Sequence, residues 1–286
     1  MNKNDGEPDA LRHIGMFRSD VALTDAQIQR YAPAALTRQT EYKAGDQGVS
    51  TIDLVNALRR EGFEPVEVCQ ARTRAIDRSA LAKHMVRLRH PKALKNADGS
   101  CEVVLVNNPV GAHSVQLMSG FFATAFSNAL IARDANADFR LRRGALAEED
   151  VVNTCKRVMK DFERVIHQIR RWKTIPLNRP QQELFAHGAA VLRFGEDAPL
   201  DPAKLLRLRR WEDHRKNDLW ATFNRVQENV VKGRIERFSA NGRPNQTRAI
   251  SGVTANVKIN TELWGLAECY ASMIKQSKYI HSTVRV

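Results

Sequence analysis

The sequence predicts an α+β protein: a small curved antiparallel sheet packed on helices, followed by a mostly helical C-terminal half that carries a basic β-hairpin. Three observations lead there. Between residues 63 and 108 the chain holds short runs of alternating character rich in β-branched residues, FEPVEVCQ, KHMVRLRH and EVVLVNN, and such runs fit a pleated, half-buried surface. From Glu148 onward the apolar spacing becomes that of a helix with one buried face, through Val151, Cys155, Val158, Met159, Phe162, Val165, Ile166, Ile169 and Trp172. Residues 234–259 lose that period, carry the Asn241-Gly242 pair and are rich in Thr, Ser and Val, the signature of a hairpin or an extended basic loop.

Taken in order, the elements begin after a polar start, MNKNDGEPDA, so residues 1–20 read as a loose N-terminus. Thr24 opens a short helix that stops before Pro33, and AGDQGVS is a hinge. Ser50 takes the N-cap position of a helix with Ile52, Leu54, Val55 and Leu58 on its apolar face, and Gly62 ends it. Asp98-Gly99 suggests a hairpin before EVVLVNN, although the spacer HPKALKNADG is longer than a two-residue turn. AHSVQLMSGFF reads as a further strand that runs into a helix near FFATAFSNALIARDA. The long helix from Glu148 is broken by Pro176 and Pro180, and QQELFAHGAAVLRF forms the next. Asp201-Pro202 supplies an N-cap and first-turn proline for a helix through KLLRLRRWEDHRK, which LWATFNRVQENVVKG continues or restarts until Gly233. A last helix starts at Asn260 or Thr261. The organisation expected is an α+β core over 21–147 and a mainly helical region over 148–286 with its basic hairpin at 234–259, or one continuous domain.

Charge is the strongest functional signal. The 286 residues carry 45 Lys and Arg against 32 Asp and Glu, a formal net charge of +13 with an isoelectric point near 9.9, and polyanions are the natural partners of such a chain. No run is apolar enough to span a membrane and neither end carries a lipidation motif, which puts nucleic acid ahead of a membrane surface. The N-terminus lacks the apolar stretch of a signal peptide, so a cytoplasmic site of action is expected. Cys69, Cys101, Cys155 and Cys269 are far apart without a CxxC pair and read as buried reduced thiols rather than metal or redox ligands. The histidines have no metal-ligand spacing, and Glu148, Glu149 and Asp150 suit a helix N-terminus. No P-loop, GxSxG, GxGxxG or HExxH occurs, so the expectation is a binding protein without cofactor or metal, not an enzyme.

The charge is concentrated in residues 201–260, with 13 basic against 6 acidic residues. There Arg207, Arg209, Arg210, Arg215, Arg225, Arg234 and Arg237 are interleaved with Trp211, Trp220, Phe223 and Phe238, the combination by which single-strand binders track a backbone and stack on bases. Trp220 and Phe223 also stand at helical spacing, so they suit a core equally well. Arg234, Arg237, Arg243 and Arg248 surround the proposed turn, where a basic hairpin can lie along phosphates or simply blunt a sheet edge. Lys232 and Lys258 extend this set. In the N-terminal half, alternation puts Arg87 and Arg89 on one sheet face and Val86 and Leu88 on the other. Together these residues form the candidate nucleic-acid-binding set.

The stretch LWATFNRVQENVVKG, followed by a polar basic segment and NVKINTELWGLAECYA, resembles a phage- and plasmid-borne family that carries the label domain of unknown function. Its motif residues would be Asn224, Arg225, Gln227, Glu228, Asn229, Gly233, Arg248, Asn260, Leu263 and Trp264; the resemblance implies a mobile-element origin and no particular activity. A second resemblance, over 51–132, is one of element order: helix, strand, strand, DG turn, strand, small-residue helix. It is similar to the core of the single-strand annealing proteins, the superfamily of RecT, Red-beta and the eukaryotic annealing mediators. That likeness implies a homo-oligomer with a basic groove for single-stranded DNA. The leading expectation is therefore ATP-independent binding of single-stranded DNA in annealing or recombination, and the second is an anti-defence or host-inhibitory protein acting through protein–protein contacts.

Overall fold

The computed structural model describes residues 15–37, 50–73, 76–93, 95–96, 98–108, 115–132, 139–141, 148–196, 200–209, 216–238 and 241–283. The fold is α+β, as the alternating and helical periods predict. The chain divides into two compact units. One comprises Met1–Phe122, Asp134–Phe162 and Ser251–Thr254; the other comprises Ala123–Arg133, Glu163–Ile250 and Ala255–Val286.

The first unit is built on a sheet in the order β1 (Met16–Arg18), β2 (Glu64–Gln70), β3 (His84–Arg89), β5 (Gly99–Asn107), β6 (Val115–Ala123). Neighbours from β1 to β5 run antiparallel, β4 (Lys95–Asn96) pairs with β5, and β8 (Phe139–Leu141) pairs with β6. Helices α1 (Asp25–Tyr31), α2 (Thr51–Arg60) and α3 (Glu148–Lys160) complete it. Helix α1 is opened by a capping box between Thr24 and Gln27, which satisfies two otherwise orphaned backbone donors. Its Tyr31 ring stacks on Phe17 of β1 at 4.2 Å. Helices α2 and α3 pack on each other and on β2 and β5 respectively, burying Leu54, Val55 and Leu58 with Val151, Cys155 and Val158. Beneath them, Thr51 Oγ1 donates to His84 Nε2 (2.7 Å) and accepts from Asn107 Nδ2 (2.8 Å), while His84 Nδ1 donates to the Ala82 carbonyl (2.9 Å). Burial holds this imidazole neutral, with its pKa down to about 4.

The other sheet face carries charge in its interior. Pairing sets Arg18 opposite Glu67, Glu67 opposite Arg87, and Arg87 opposite Val104; side chains alternate along strands, so Arg89 and Glu102 share that face. Glu102 accepts hydrogen bonds from Arg18, from Arg87 Nε (2.8 Å) and from Arg89 Nη2 (2.9 Å), and Arg18 also donates to Glu67 (2.7 Å). The Arg18 guanidinium lies 3.5 Å from the centroid of the Phe122 ring. Room for Arg87 exists because β6 has Gly120 there: a Cβ would stand 2.6 Å from Arg87 Nη2 and 2.7 Å from Val104 Cγ2. Burial alone would raise the Glu102 pKa, but Arg87 and Arg18 outweigh it and hold it at about 2.

The second unit is helical: α4 (Phe162–Lys173), α5 (Arg179–Phe194), α6 (Leu219–Lys232) and most of α7 (Val253–Thr283), with β7 (Asn128–Ile131) packed on α6 and a hairpin of β9 (Glu236–Phe238) and β10 (Pro244–Gln246). Its centre is aromatic. Trp172 of α4 lies 4.6 Å from Trp264 of α7 and 5.4 Å from Phe223 of α6, and Trp220 lies 5.8 Å from Phe223. A one-turn 3-10 helix, Pro202–Leu206, is capped by Asp201 and packs on α5 and α6.

Several elements depart from the sequence expectation. Strand β1 lies within the N-terminal stretch read as loose, held by backbone pairing to β2 that a three-residue run cannot announce. The helix expected near FFATAFSNALIARDA is absent: β6 continues to Ala123, a 3-10 turn covers Thr124–Phe126, and β7 follows. The order likened to annealing proteins over 51–132 is therefore not completed by its last helix. The helix from Glu148 breaks at Asp161 into α3 and α4. After Leu206 the expected helix does not continue through Arg207–Arg209, and α7 starts at Val253, before Asn260, shortening the hairpin region. Cys69, Cys101 and Cys155 are buried, but Cys269 is exposed. The hinge residues 44–49 lie outside the described residues.

His84 and Glu102 make this unit acid-sensitive. Protonation favours the unfolded chain wherever the folded pKa is depressed, so stability should be full above about pH 6.5, fall toward pH 4 as His84 resists its proton, and fall further between 4.5 and 2 through Glu102. Urea midpoints measured from pH 8 to 3 check this, and a flat profile contradicts it. Glu102→Gln should cost about 3–5 kcal/mol at neutral pH, because it strands buried arginines; a loss under 1 kcal/mol would show that the ion pairs contribute no more than surface ones.

Candidate nucleic-acid interface

The site is built on α6. Asp218 accepts from the Ala221 amide at 2.8 Å to start this helix, and Gly233 stops it. Between them every residue from Leu219 to Val230 is buried, so polar side chains on all sides of the helix must be satisfied internally. Asn128 Nδ2 donates to the Asn224 carbonyl (3.0 Å), Gln227 Nε2 to Asn260 Oδ1 (2.8 Å), and Arg225 Nη2 to the Lys216 carbonyl (2.5 Å). Glu228 accepts from Lys232 at 2.6 Å.

Asn229 is the residue that connects this interior to the surface. Its Nδ2 donates to the carbonyls of Leu205 and Arg207, each at 2.8 Å, and its Oδ1 accepts from Arg209 Nε at 2.8 Å. Arg209 Nη2 also donates to the Gly233 carbonyl at 2.5 Å. The non-helical segment after Leu206 is thereby fastened to the C-terminus of α6. Gly233 has φ +63°, and a Cβ there would stand 2.6 Å from the Arg248 carbonyl carbon and 2.7 Å from the Thr247 oxygen. Only glycine permits that approach, and it brings the returning hairpin strand against the helix end. Arg234 follows with φ +59°, and its amide donates to Thr247 O at 2.8 Å.

The result is a cleft of about 590 Å³ lined by Arg207, Leu208, Arg209, Arg234 and Gln246. Among the described residues its lining contains three arginines and no acid. In the hairpin register Gln246 is opposite Glu236 and Pro244 is opposite Phe238, so strand alternation puts Phe238 on the same face as Gln246, about 7 Å nearer the turn. Phe238 is 58% exposed. Glu236, on that face too, pairs with Lys204 at 3.4 Å. A guanidinium-lined concavity beside an exposed ring can hold a phosphate and offer a surface to a base.

The sequence-predicted residues separate sharply. Arg207, Arg209 and Arg234 converge on the cleft, and Arg243 and Arg248 are exposed on the hairpin. Arg237 alternates to the opposite hairpin face and is half-buried. Lys258 is on α7, 3.8 Å from Glu262. Of four others, Arg87, Arg89 and Arg225 are buried or half-buried against structural partners, while Lys232 is exposed. Arg87 is fully buried and, like Arg89, paired with Glu102; strand alternation put both on the internal charged face. Arg225 is buried against the Lys216 carbonyl, and Lys232 pairs with Glu228. Trp220 and Phe223 are core, as their helical spacing allowed. Arg210, Trp211 and Arg215 lie outside the described residues. Sequence reasoning missed Leu208 and Gln246 of the cleft, and missed Arg18, Glu67 and Glu102, although two acids in otherwise apolar strands signal buried partners. Among the described residues no cluster of three or more His, Cys, Asp or Glu could hold a metal ion, and no helix is long and apolar enough to cross a membrane.

Two glycines separate backbone strain from close packing. Gly242 also has positive φ, +72°, but nothing lies within 4 Å of its would-be Cβ. Gly242→Ala should cost about 1–2 kcal/mol from the left-handed backbone alone, whereas Gly233→Ala should cost about 3 kcal/mol or more because steric overlap is added. Equal losses in thermal unfolding would show that Gly233 does not pin the hairpin.

Comparison with known proteins places these elements in a family. The chain is 31% identical over 263 residues to UPF0380 protein YafZ of Escherichia coli (strain K12), and 32% identical over 263 residues to UPF0380 protein YfjQ of the same organism; each alignment covers 91% of this chain and 96% of the relative. No solved structure matches. The model of the family described as "Domain of unknown function (DUF932)" matches residues 19–264, which span strands of the first unit and the whole cleft of the second, and the chain belongs to that family.

Proposed function

We propose that this protein binds nucleic acid through its second unit, single strands in preference to duplex, with Arg207, Arg209 and Arg234 taking a phosphate and Phe238 taking a base. The observation that carries the reading is the shared hairpin face: an exposed aromatic ring and an arginine-lined cleft about two residues apart along one strand pair. A ring exposed on a hairpin otherwise rich in polar residues can serve as a stacking platform, which a paired duplex base cannot reach. Arg243 and Arg248 add positive charge along the same hairpin, and the excess of +13 over the chain favours polyanions generally. The activity is binding without nucleotide hydrolysis or cofactor, in the cytoplasm, with copies of the chain arranging their clefts along a strand. Annealing or recombination support on a mobile element is the task such binding would serve.

Fluorescence anisotropy with a labelled single-stranded oligonucleotide tests this. Affinity should fall steeply and log-linearly with salt, each neutralised phosphate contributing a slope of about −0.7 for a single strand. Phe238→Ala should weaken binding by about 5- to 100-fold, the range for losing one stacked base. Salt-independent binding, no binding at low salt, or a duplex preferred over the same single strand would overturn the proposal.

A further inference from the structure

The cleft holds a feature that backbone binding alone does not require. Arg234 occupies left-handed backbone, φ +59°, which is strained for a non-glycine residue. Glycine would fit this position without strain, and asparagine with less. Residues kept in such conformations cluster where a side chain is needed in one place, and here the side chain kept is a guanidinium in a cleft with two others. One of those others, Arg209, is fixed in orientation by Asn229 and the Gly233 carbonyl, so this part of the concavity is set before any ligand arrives.

The number of arginines specifies the ligand. A phosphodiester in a strand offers two non-bridging oxygens and one negative charge, whereas a phosphate monoester carries about −1.5 to −2 and three strong acceptor oxygens. Three arginines around one group match the monoester in oxygen count and charge, and among the described residues the lining holds no acid to oppose the second charge. The cleft volume, about 590 Å³, falls within the range of about 300–1,000 Å³ usual for small-ligand sites. From these observations, and resting on the nucleic-acid reading above, we infer that the Arg207–Arg209–Arg234 cleft is a receptor for the terminal phosphate monoester of a nucleic-acid strand. The terminal phosphate sits among the guanidiniums and the adjoining base reaches Phe238. The chain then recognises strand ends, with the rest of the hairpin following the strand inward.

The test uses the full chain and one oligonucleotide sequence in 5′-phosphorylated, 3′-phosphorylated and hydroxyl-ended forms, with thymidine monophosphate and inorganic phosphate as competitors. One phosphorylated end should bind about tenfold more tightly than the hydroxyl form, the effect of one added charge-assisted contact. In Arg234→Gly the ratio should fall to about one while the thermal midpoint stays equal or rises, since glycine relieves the strained backbone. Arg207→Gln, at an exposed position of ordinary backbone, should lower the ratio as well. Equal binding of all three forms, or a ratio that survives both substitutions, overturns the strand-end inference while leaving single-strand binding standing. Tight binding of the mononucleotide with none of any strand overturns it in favour of a free-nucleotide site. No binding of any of these ligands overturns this inference together with the nucleic-acid reading.

Discussion

Helix α6 has almost no solvent face, and much of the second unit follows from that single condition. A buried helix with apolar side chains on all sides needs only packing, but α6 carries Asn224, Arg225, Gln227, Glu228 and Asn229 among Trp220, Phe223, Val226 and Val230. Each buried polar group left unpaired costs about 1–3 kcal/mol, so the surrounding segments are shaped to meet them. Asn260 of α7 turns to Gln227, Asn128 of β7 reaches the Asn224 backbone, and the chain leaves helical geometry after Leu206 so that the Leu205 and Arg207 carbonyls both meet Asn229. The surface cleft is the outer end of that internal accommodation.

The first unit satisfies an analogous condition with ions instead of amides. Glu102 is surrounded by three arginines on a sheet face, and a glycine in the adjacent strand leaves the space they occupy. Removing one partner is costly because the others remain buried and charged. Positive charge in this chain thus has two distinct uses: Arg18, Arg87 and Arg89 neutralise interior carboxylates, while Arg207, Arg234, Arg243 and Arg248 face solvent. Net charge by itself does not distinguish them.

Period-based reasoning was reliable wherever one face of an element is apolar. Helix α2, strands β2 and β3, α5 and α6 stand where their spacing puts them, and the Asn241-Gly242 turn joins β9 to β10. Reading failed where long-range pairing overrides local pattern. The run SGFFATAF is short-sidechained enough for a helix, yet β6 continues through its first half, and the turn after it places Ser127 in left-handed backbone. Arginines could not be sorted from sequence because the partners that bury them are far away in the chain: Arg18 and Glu102 are separated by 84 residues. All three cleft arginines, Arg207, Arg209 and Arg234, were visible as basic residues, but their convergence depends on Asn229 and Gly233. Of the motif residues, Asn224, Arg225, Gln227, Glu228, Asn229, Asn260, Leu263 and Trp264 are interior and Arg248 is exposed, so most of that set serves the architecture beside the cleft and hairpin.

The proposed binding surface thus belongs to one unit, where the arginine-lined cleft adjoins the buried polar residues of α6. Hydrogen–deuterium exchange with and without a single-stranded oligonucleotide measures that arrangement directly. The account predicts slower exchange confined to residues 205–209, 233–238 and 244–248 on adding the strand, with the sheet residues 84–89 and 99–107 unchanged. Protection centred on the Arg18–Glu102 sheet face, or no protection at the cleft under conditions where the strand is bound, would contradict it.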